Sequence, residues 1–388
     1  MKEKIRILVS FGTRPEGIKM APLIKEIQSN PKTMELFICS TGQHREMLKQ
    51  VIDFFEIKPD IELNLMMHDQ TLGKLSSKII ESMESVFNEV KPDIVIVQGD
   101  TTTAFLTAFV AFYQKIKIGH VEAGLRTYNK FSPFPEEINR QLLSKITDLH
   151  FAPTKSARKN LLREGFNKKS IILTGNTIVD AMEWGIKKIN DYDFLKKSEE
   201  INNLEKIVDI KKKIILVTMH RRESFGEDIK NVCEALKFIS NKYNDVEIIY
   251  PVHLNPNVIE PVNKILSGEK NIKLIKPLSY EAFLWLMNKS YLIITDSGGI
   301  QEEVPSFKKP VLVIRDFTER NESVKLGLSK LVGTKTQNII NNISLLLESK
   351  KDYEKMIADK NPYGDGNASK RIVLAILNYF KENNQEYD

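Results

Sequence analysis

YLIITDSGGIQEE, residues 291–303, decides how the chain folds: an apolar run from Tyr291 to Ile294 stops at Thr295-Asp296-Ser297 and gives way to Gly298-Gly299. The two glycines permit close backbone approach and unusual dihedrals, and the segment after them can start a helix at Ile300. A strand feeding a glycine turn and a helix N-terminus offers unpaired N–H groups and a positive dipole end, which together cradle an anion. Glu302 and Glu303 are then expected in the first turn, where the dipole favours a carboxylate that can also accept from ribose hydroxyls. The plainer alternative is an ordinary strand-to-helix turn capped by Asp296 and Ser297.

Outward from this stretch the same pattern recurs. Ile214–Met219, Val246–Val252, Ile272–Leu274 and Val311–Ile314 read as strands, each trailed by a helical candidate. Near the start, Ile5–Val9 ends in the loop Ser10–Glu16, after which Ile18, Ala21, Leu23, Ile24 and Ile27 fall at helical spacing. Leu36–Ser40 precedes a helical Glu46–Phe55, Ile94–Gln98 precedes Thr101–Tyr113, and Ile116–Val121 and Ile171–Leu173 are further strands. Strands that are apolar throughout and alternate with helices imply open parallel sheets covered on both faces, with ligands beyond the strand C-terminal ends. The expected architecture is therefore α/β: two Rossmann-like, doubly wound domains facing each other across a cleft, residues 1–175 and 176–366. A closing helix in 367–388 is expected to pack back on the first domain. Asp191–Lys213, polar and lysine-rich, reads as a surface excursion, and Asn361–Gly366 as a turn cluster.

The 388 residues exceed one comfortable core, which agrees with two domains. Hydrophobic content of 41% and charged content of 28% are those of a soluble globular protein. The net charge of +6 comes from 57 basic and 51 acidic residues that are well mixed, whereas a nucleic-acid protein concentrates its excess on one stripe. Cys39 and Cys233 sit far apart in apolar surroundings and read as reduced packing residues, as in a cytoplasmic protein. No run approaches the roughly 20 apolar residues of a membrane span, and no leader opens the chain.

Candidate chemistry clusters at the strand ends. Arg14 and Lys19 flank the start of the first helix, where a guanidinium and an ammonium can clamp a diphosphate; no P-loop spacing accompanies them. Asp100 in QGDTTT is either a helix N-cap or a carboxylate aimed into the cleft. Glu122 at a strand tip and Glu136 after Pro133-Phe134-Pro135 are acids that folding does not require, unless they pair with Arg126 or Arg140. His220, Arg221, Arg222 and Glu223 crowd one strand end and His253 follows the next, but neither histidine has a partner at metal-ligand spacing. Gly-x-Ser-x-Gly is absent, so a Ser-His-Asp hydrolase is unsupported. These residues describe an enzyme that grips a phosphorylated, nucleotide-linked ligand and has several carboxylates for proton transfer.

The ordered strings GTRPEGIKMAPL, VQGDTTT, HVEAGLRT, PFPEEINR, TGNTIVDA, HRRESFG, DSGGIQEEVP, KPVLVIRD, TER and NPYGDG go further. From Ile5 to about Ser369 the chain resembles the non-hydrolysing UDP-N-acetylglucosamine 2-epimerases. The resemblance implies a GT-B-like pair of domains, the first carrying catalytic carboxylates and the second binding UDP. It implies a homodimer that needs no metal or cofactor and interconverts UDP-N-acetylglucosamine and UDP-N-acetylmannosamine for surface polysaccharide synthesis, the alternatives being a C2 epimerase of another UDP-2-acetamido sugar or a GT-B glycosyltransferase. UDP would be expelled to leave a 2-acetamidoglucal and then added back, with protonation on the opposite face. It assigns Asp100, Glu122 and Glu136 as catalytic acids and bases and puts His220 near the diphosphate. Arg14, Lys19, Phe283, Ser297, Gly298, Gly299, Glu303 and Arg320 match UDP-contacting positions, Glu303 as the ribose acceptor. Leu278 stands where Gln is common near uracil, which leaves the base to backbone groups.

Gln43, Glu46, Gln70, Glu136, Arg221 and His253 match a regulatory pocket for a second UDP-N-acetylglucosamine. Asp69, however, stands where relatives commonly have Gly or Arg, and a carboxylate near a diphosphate repels it by on the order of a kcal/mol. Weakened activation is the expectation. Reactions started from pure UDP-N-acetylmannosamine should then show little response to traces of UDP-N-acetylglucosamine; a long lag abolished by such traces would count against the inference from Asp69.

Overall fold

The computed structural model describes residues 4–42, 45–65, 70–221, 224–318, 320–357 and 361–385, the side chains of 45–47, 321 and 383–385 excepted. The chain divides into two compact units, Met1–Ala181 with Tyr363–Asp388, and Met182–Pro362.

In the first unit β1 (Ile5–Phe11), α1 (Arg14–Gln28), β2 (Met34–Ser40), α2 (Arg45–Phe54), β3 (Ile61–Glu62), α3 (Leu72–Val90), β4 (Ile94–Gln98) and α4 (Thr102–Tyr113) follow in strict alternation. They continue as β5 (Lys117–Val121), α5 (Glu136–Ile146), β6 (Leu149–Ala152), α6 (Lys155–Arg163), β7 (Ile171–Leu173) and α7 (Thr177–Ile189). The parallel sheet has the order β3-β2-β1-β4-β5-β6-β7. Its buried strands are apolar because helices cover both faces: Val95, Val97 and Ile118 pack with Ile79, Met83, Phe87, Ala108 and Ala111.

In the second unit α8 (Tyr192–Lys197) and α9 (Glu199–Ile207) precede β8 (Lys213–Thr218), α10 (Glu227–Lys242), β9 (Val246–Pro251), α11 (Pro256–Leu266), β10 (Ile272–Ile275) and α12 (Tyr280–Lys289). Next come β11 (Leu292–Thr295), α13 (Gly298–Glu303), β12 (Val311–Val313), α14 (Asn321–Lys325), β13 (Ser329–Leu331), α15 (Thr336–Glu348) and α16 (Lys350–Lys355). The order is β10-β9-β8-β11-β12-β13, again all parallel. The last helix, α17 (Ala368–Gln385), belongs to the first unit and packs on α1. In each sheet the strand order reverses once, at β1/β4 and at β8/β11, and such a reversal opens a crevice beyond the strand ends.

Two local expectations change. Asp191–Lys213 contains α8 and α9, and Ile201 and Leu204 bury an apolar stripe of α9, which packs on α12, while its Lys206 lies on the exposed face. In the opening stretch the helix begins at Gly298 instead of Ile300, and neither Gly298 nor Gly299 has a positive φ. Glu302 and Glu303 consequently fall beyond the first turn.

Gly124 combines two demands. Its φ is +90°, and a Cβ there would lie 2.4 Å from the Ala157 carbonyl oxygen and 2.9 Å from Leu161 Cγ. Gly165 has φ +84° with open space around it. Gly165→Ala should cost about 1 kcal/mol from backbone strain, and Gly124→Ala at least about 2 kcal/mol more from the clash with fixed backbone. Denaturant titration of both variants checks this, and equal losses would contradict it.

Candidate active site

At the strand ends of the first unit, the β1–α1 and β4–α4 loops meet on Glu16. Its Oε2 accepts from the backbone N–H of Gly12 (3.1 Å) and Thr13 (2.8 Å) and from the Thr13 hydroxyl (2.7 Å), while Oε1 accepts from the Thr101 hydroxyl (2.7 Å). Burial nonetheless pushes this carboxyl above its ordinary range. The two loops are thereby fixed to each other, with Arg14 half-buried on one and Asp100 half-buried on the other.

Thr101, not Asp100, caps α4, since the Thr101 hydroxyl accepts from the Ala104 N–H at 3.0 Å. Asp100 is free for another role: its carboxylate pairs with the buried Arg140, and its carbonyl accepts from Asn139 Nδ2 at 2.9 Å. Arg140 also reaches Glu137, 3.1 Å away. Glu137, next to the candidate Glu136, is fully buried and accepts from the Thr127 and Tyr128 N–H groups and from Gln141. Burial alone would raise its pKa, but these donors hold it below the ordinary range. Glu136 itself, the first residue of α5, is half-buried with no ion pair among the described residues. The pair therefore divides into a structural Glu137 and an uncommitted Glu136.

Glu122, one residue beyond β5, has φ +68°, a left-handed conformation that costs a residue with a Cβ about 1–2 kcal/mol. Its buried carboxylate pairs with Lys19 and accepts from Asn176 Nδ2 at 3.2 Å. Neither suggested partner is used: Arg126 binds Glu164 at 2.7 Å, and Arg140 serves Asp100 and Glu137. His120 donates from Nε2 to the Gly99 carbonyl (2.7 Å), and burial drops its pKa to about 3 and that of His150 to about 4. Both are neutral core histidines.

At the β8 and β11 ends of the second unit, the Thr218 and Thr295 hydroxyls bond at 2.7 Å, and Thr295 Oγ1 accepts from the Ser297 N–H at 2.9 Å. Asp296, fully buried, accepts on Oδ2 from the N–H groups of His220 and Arg221, both at 2.9 Å, and its Oδ1 lies 3.1 Å from His220 Nδ1. Burial works against its ionisation, but His220 and the two amides outweigh that and hold its pKa below the ordinary range. The exposed His220 and His253 rings lie 6.0 Å apart. Burial, then the neighbouring His220, lowers the His253 pKa.

Gly298 packs against Arg320. A Cβ there would sit 3.4 Å from the Arg320 guanidinium, which donates from Nε to the buried Glu302 at 2.9 Å. Thr318 and Gln301 join the same turn, the Thr318 hydroxyl bonding Gln301 Oε1 at 2.8 Å and Gln301 Nε2 bonding the Ser297 carbonyl at 3.1 Å. Ser297, Gly299 and Glu303 are half-buried, as is Phe283 on α12. Of the regulatory candidates, Gln70 precedes α3 in the first unit, and Arg221 and His253 follow β8 and β9 in the second. Gln43, Asp69 and the side chain of Glu46 lie outside the described residues.

Sequence reading missed the work of Glu16, Asn176, Arg140 and Asp296. All four lie in the quoted motifs, so the signal existed, but their partners are brought together by the fold and not by spacing.

The UDP-N-acetylglucosamine 2-epimerase family pattern matches residues 25–377. A UDP-N-acetylglucosamine 2-epimerase of Campylobacter jejuni is 54% identical over 96% of this chain and 97% of its own. The crystal structure of a Neisseria meningitidis UDP-GlcNAc 2-epimerase bound to UDP-GlcNAc is 48% identical, covers 96% of this chain and 100% of its own, and superposes with a TM-score of 0.89. MurG of Acinetobacter baumannii, at 13% identity and a TM-score of 0.59 over 97% of this chain and 100% of its own, shares the fold alone, which is GT-B-like. On the family pattern and near-full-length identity, this chain belongs to the UDP-N-acetylglucosamine 2-epimerase family.

Proposed function

We propose that the chain catalyses reversible C2 epimerisation of UDP-N-acetylglucosamine to UDP-N-acetylmannosamine. The observation that carries this reading is Glu122, a buried carboxylate kept in strained backbone beside Lys19, within a family of this activity. C2 of the sugar has no adjacent carbonyl, so its proton leaves together with the diphosphate at C1: the C2–H and C1–O bonds break and C1=C2 forms. Re-addition of UDP with a proton delivered to the other face gives the epimer. Asp100, Glu122 and Glu136 supply the proton transfers, His220 steadies the departing diphosphate, and Ser297, Gly298, Gly299, Glu303, Arg320, Phe283, Arg14 and Lys19 hold UDP. The product enters surface polysaccharide synthesis in the cytoplasm, which suits the buried free thiols of Cys39 and Cys233. No helix among the described residues is long and apolar enough to cross a membrane.

A second copy of the chain is the partner we infer for α4. Its twelve residues, TTAFLTAFVAFY, carry no charge; Phe109 lies 5.9 Å from Phe105 and 4.5 Å from Tyr113 by ring centroid, and Phe112 and Tyr113 are 52% and 68% exposed. A charge-free aromatic surface has the composition of a subunit interface. Phe112→Asp with Tyr113→Asp should convert a dimer to a monomer by light scattering, and an unchanged mass would remove this surface.

Incubation with UDP-N-acetylglucosamine in D2O should place deuterium at C2 and yield the manno epimer; full turnover with protium retained would overturn the elimination route. Free sugar or acceptor-dependent transfer would identify a hydrolytic enzyme or a glycosyltransferase instead. Asp100→Asn, Glu122→Gln and Glu136→Gln should each lower turnover about a hundredfold or more with UDP affinity mostly kept. Near-normal turnover in any of them removes that residue from the catalytic set.

A further inference from the structure

We propose that Asp296 is a positioning residue for His220, fixing its imidazole as the Nδ1–H tautomer so that Nε2 is the nitrogen presented to ligand. The proposal rests on the reading above that His220 acts on the departing diphosphate.

The two carboxylate oxygens of Asp296 have separate duties. Oδ2 takes both backbone N–H groups, from His220 and Arg221, which ties the end of β8 to the end of β11 across the point where the strand order reverses. Oδ1 is buried and makes no hydrogen bond among the described residues; the imidazole Nδ1, 3.1 Å away at ion-pair distance, is the polar group that faces it. An ionised carboxylate can only accept, and a proton on Nδ1 turns this contact into the hydrogen bond that Oδ1 otherwise lacks. Nε2 makes no hydrogen bond among the described residues. A buried carboxylate on Nδ1–H sets tautomer and ring orientation together, the arrangement by which a histidine is prepared for proton or charge chemistry at its far nitrogen.

The same geometry says what Asp296→Asn does. Two amide donors at the Oδ2 position keep an oxygen there, so the new carboxamide NH2 occupies the Oδ1 position and donates to Nδ1. The ring must then carry its proton on Nε2, the opposite tautomer, while both backbone bonds persist and the loop keeps its shape. A mere loop staple would be almost indifferent to this exchange.

The test combines spectra and kinetics. In the wild-type protein with 15N-labelled histidine at about pH 9, where an imidazole is neutral, the His220 signals, assigned by their loss in His220→Ala, should show a pyrrole-type Nδ1 and a pyridine-type Nε2. Asp296→Asn should reverse them and lower kcat about a hundredfold or more. In the His220→Ala background the same change should alter kcat by less than about threefold. An Nε2–H tautomer in the wild type overturns the proposal without any Asp296 variant, so a misfolded Asp296→Asn does not protect it. Near-normal kcat in Asp296→Asn with impaired His220→Ala overturns the proposal alone. Near-normal kcat in His220→Ala overturns the role of His220 and this proposal with it.

Discussion

A carboxylate removed from water at the end of a parallel strand must be surrounded by donors, because desolvating an ion costs several kcal/mol that only well-placed partners offset. Three carboxylates at such ends meet the requirement in different ways. Glu16 uses two amides and two hydroxyls, Glu122 an ammonium and a carboxamide, and Asp296 two amides and an imidazole. Each solution draws together segments distant in sequence, so the loops beyond the sheets acquire fixed shapes although they contain little regular structure.

The same constraint explains why the chain returns to the first unit. Asn176, which donates to Glu122, is itself held by its N–H on the Tyr363 carbonyl at 2.8 Å. A few residues on, Asp180 accepts from the N–H groups of Ala368 and Ser369 and so caps α17, while Arg371 bonds the Thr174 carbonyl at 2.9 Å and both oxygens of Asp365 at 2.7 Å. The NPYGDG turn and the final helix thus brace the residue that braces Glu122. Losing α17 would strip the Asp180 carboxylate of its donors as well as uncover α1.

Alternation of apolar runs with helical spacing made both sheets legible, because strands buried on two faces leave no ambiguity of period. What escaped were choices between neighbours. Asp100 and Thr101 are both good caps, and only the backbone decides that Thr101 takes the Ala104 N–H. Glu136 and Glu137 are chemically alike, yet one is uncommitted and the other saturated. The α9 stripe was hidden because its apolar positions are outnumbered by charged ones on the solvent side. Pairings such as Lys19 with Glu122 depend on which strands adjoin, which spacing along one chain cannot supply.

The two units share a topology but oppose each other in electrostatic character. In the first, the strand ends present carboxylates paired with Lys19 and Arg140, groups suited to moving protons. In the second, the acids nearest the glycine turn are consumed: Asp296 by two amides and a histidine, Glu302 by Arg320. An uncompensated carboxylate near a phosphate would repel it by on the order of a kcal/mol at partial exposure and by more when buried. Giving Asp296 and Glu302 N–H donors on one oxygen each turns part of that liability into structure, because the donors are positioned by the charge and offset some of the negative potential that would oppose an anionic ligand. Asp296 and Glu302 are thus compatible with an anion-binding turn through their donors, and the local shape of that turn depends on them.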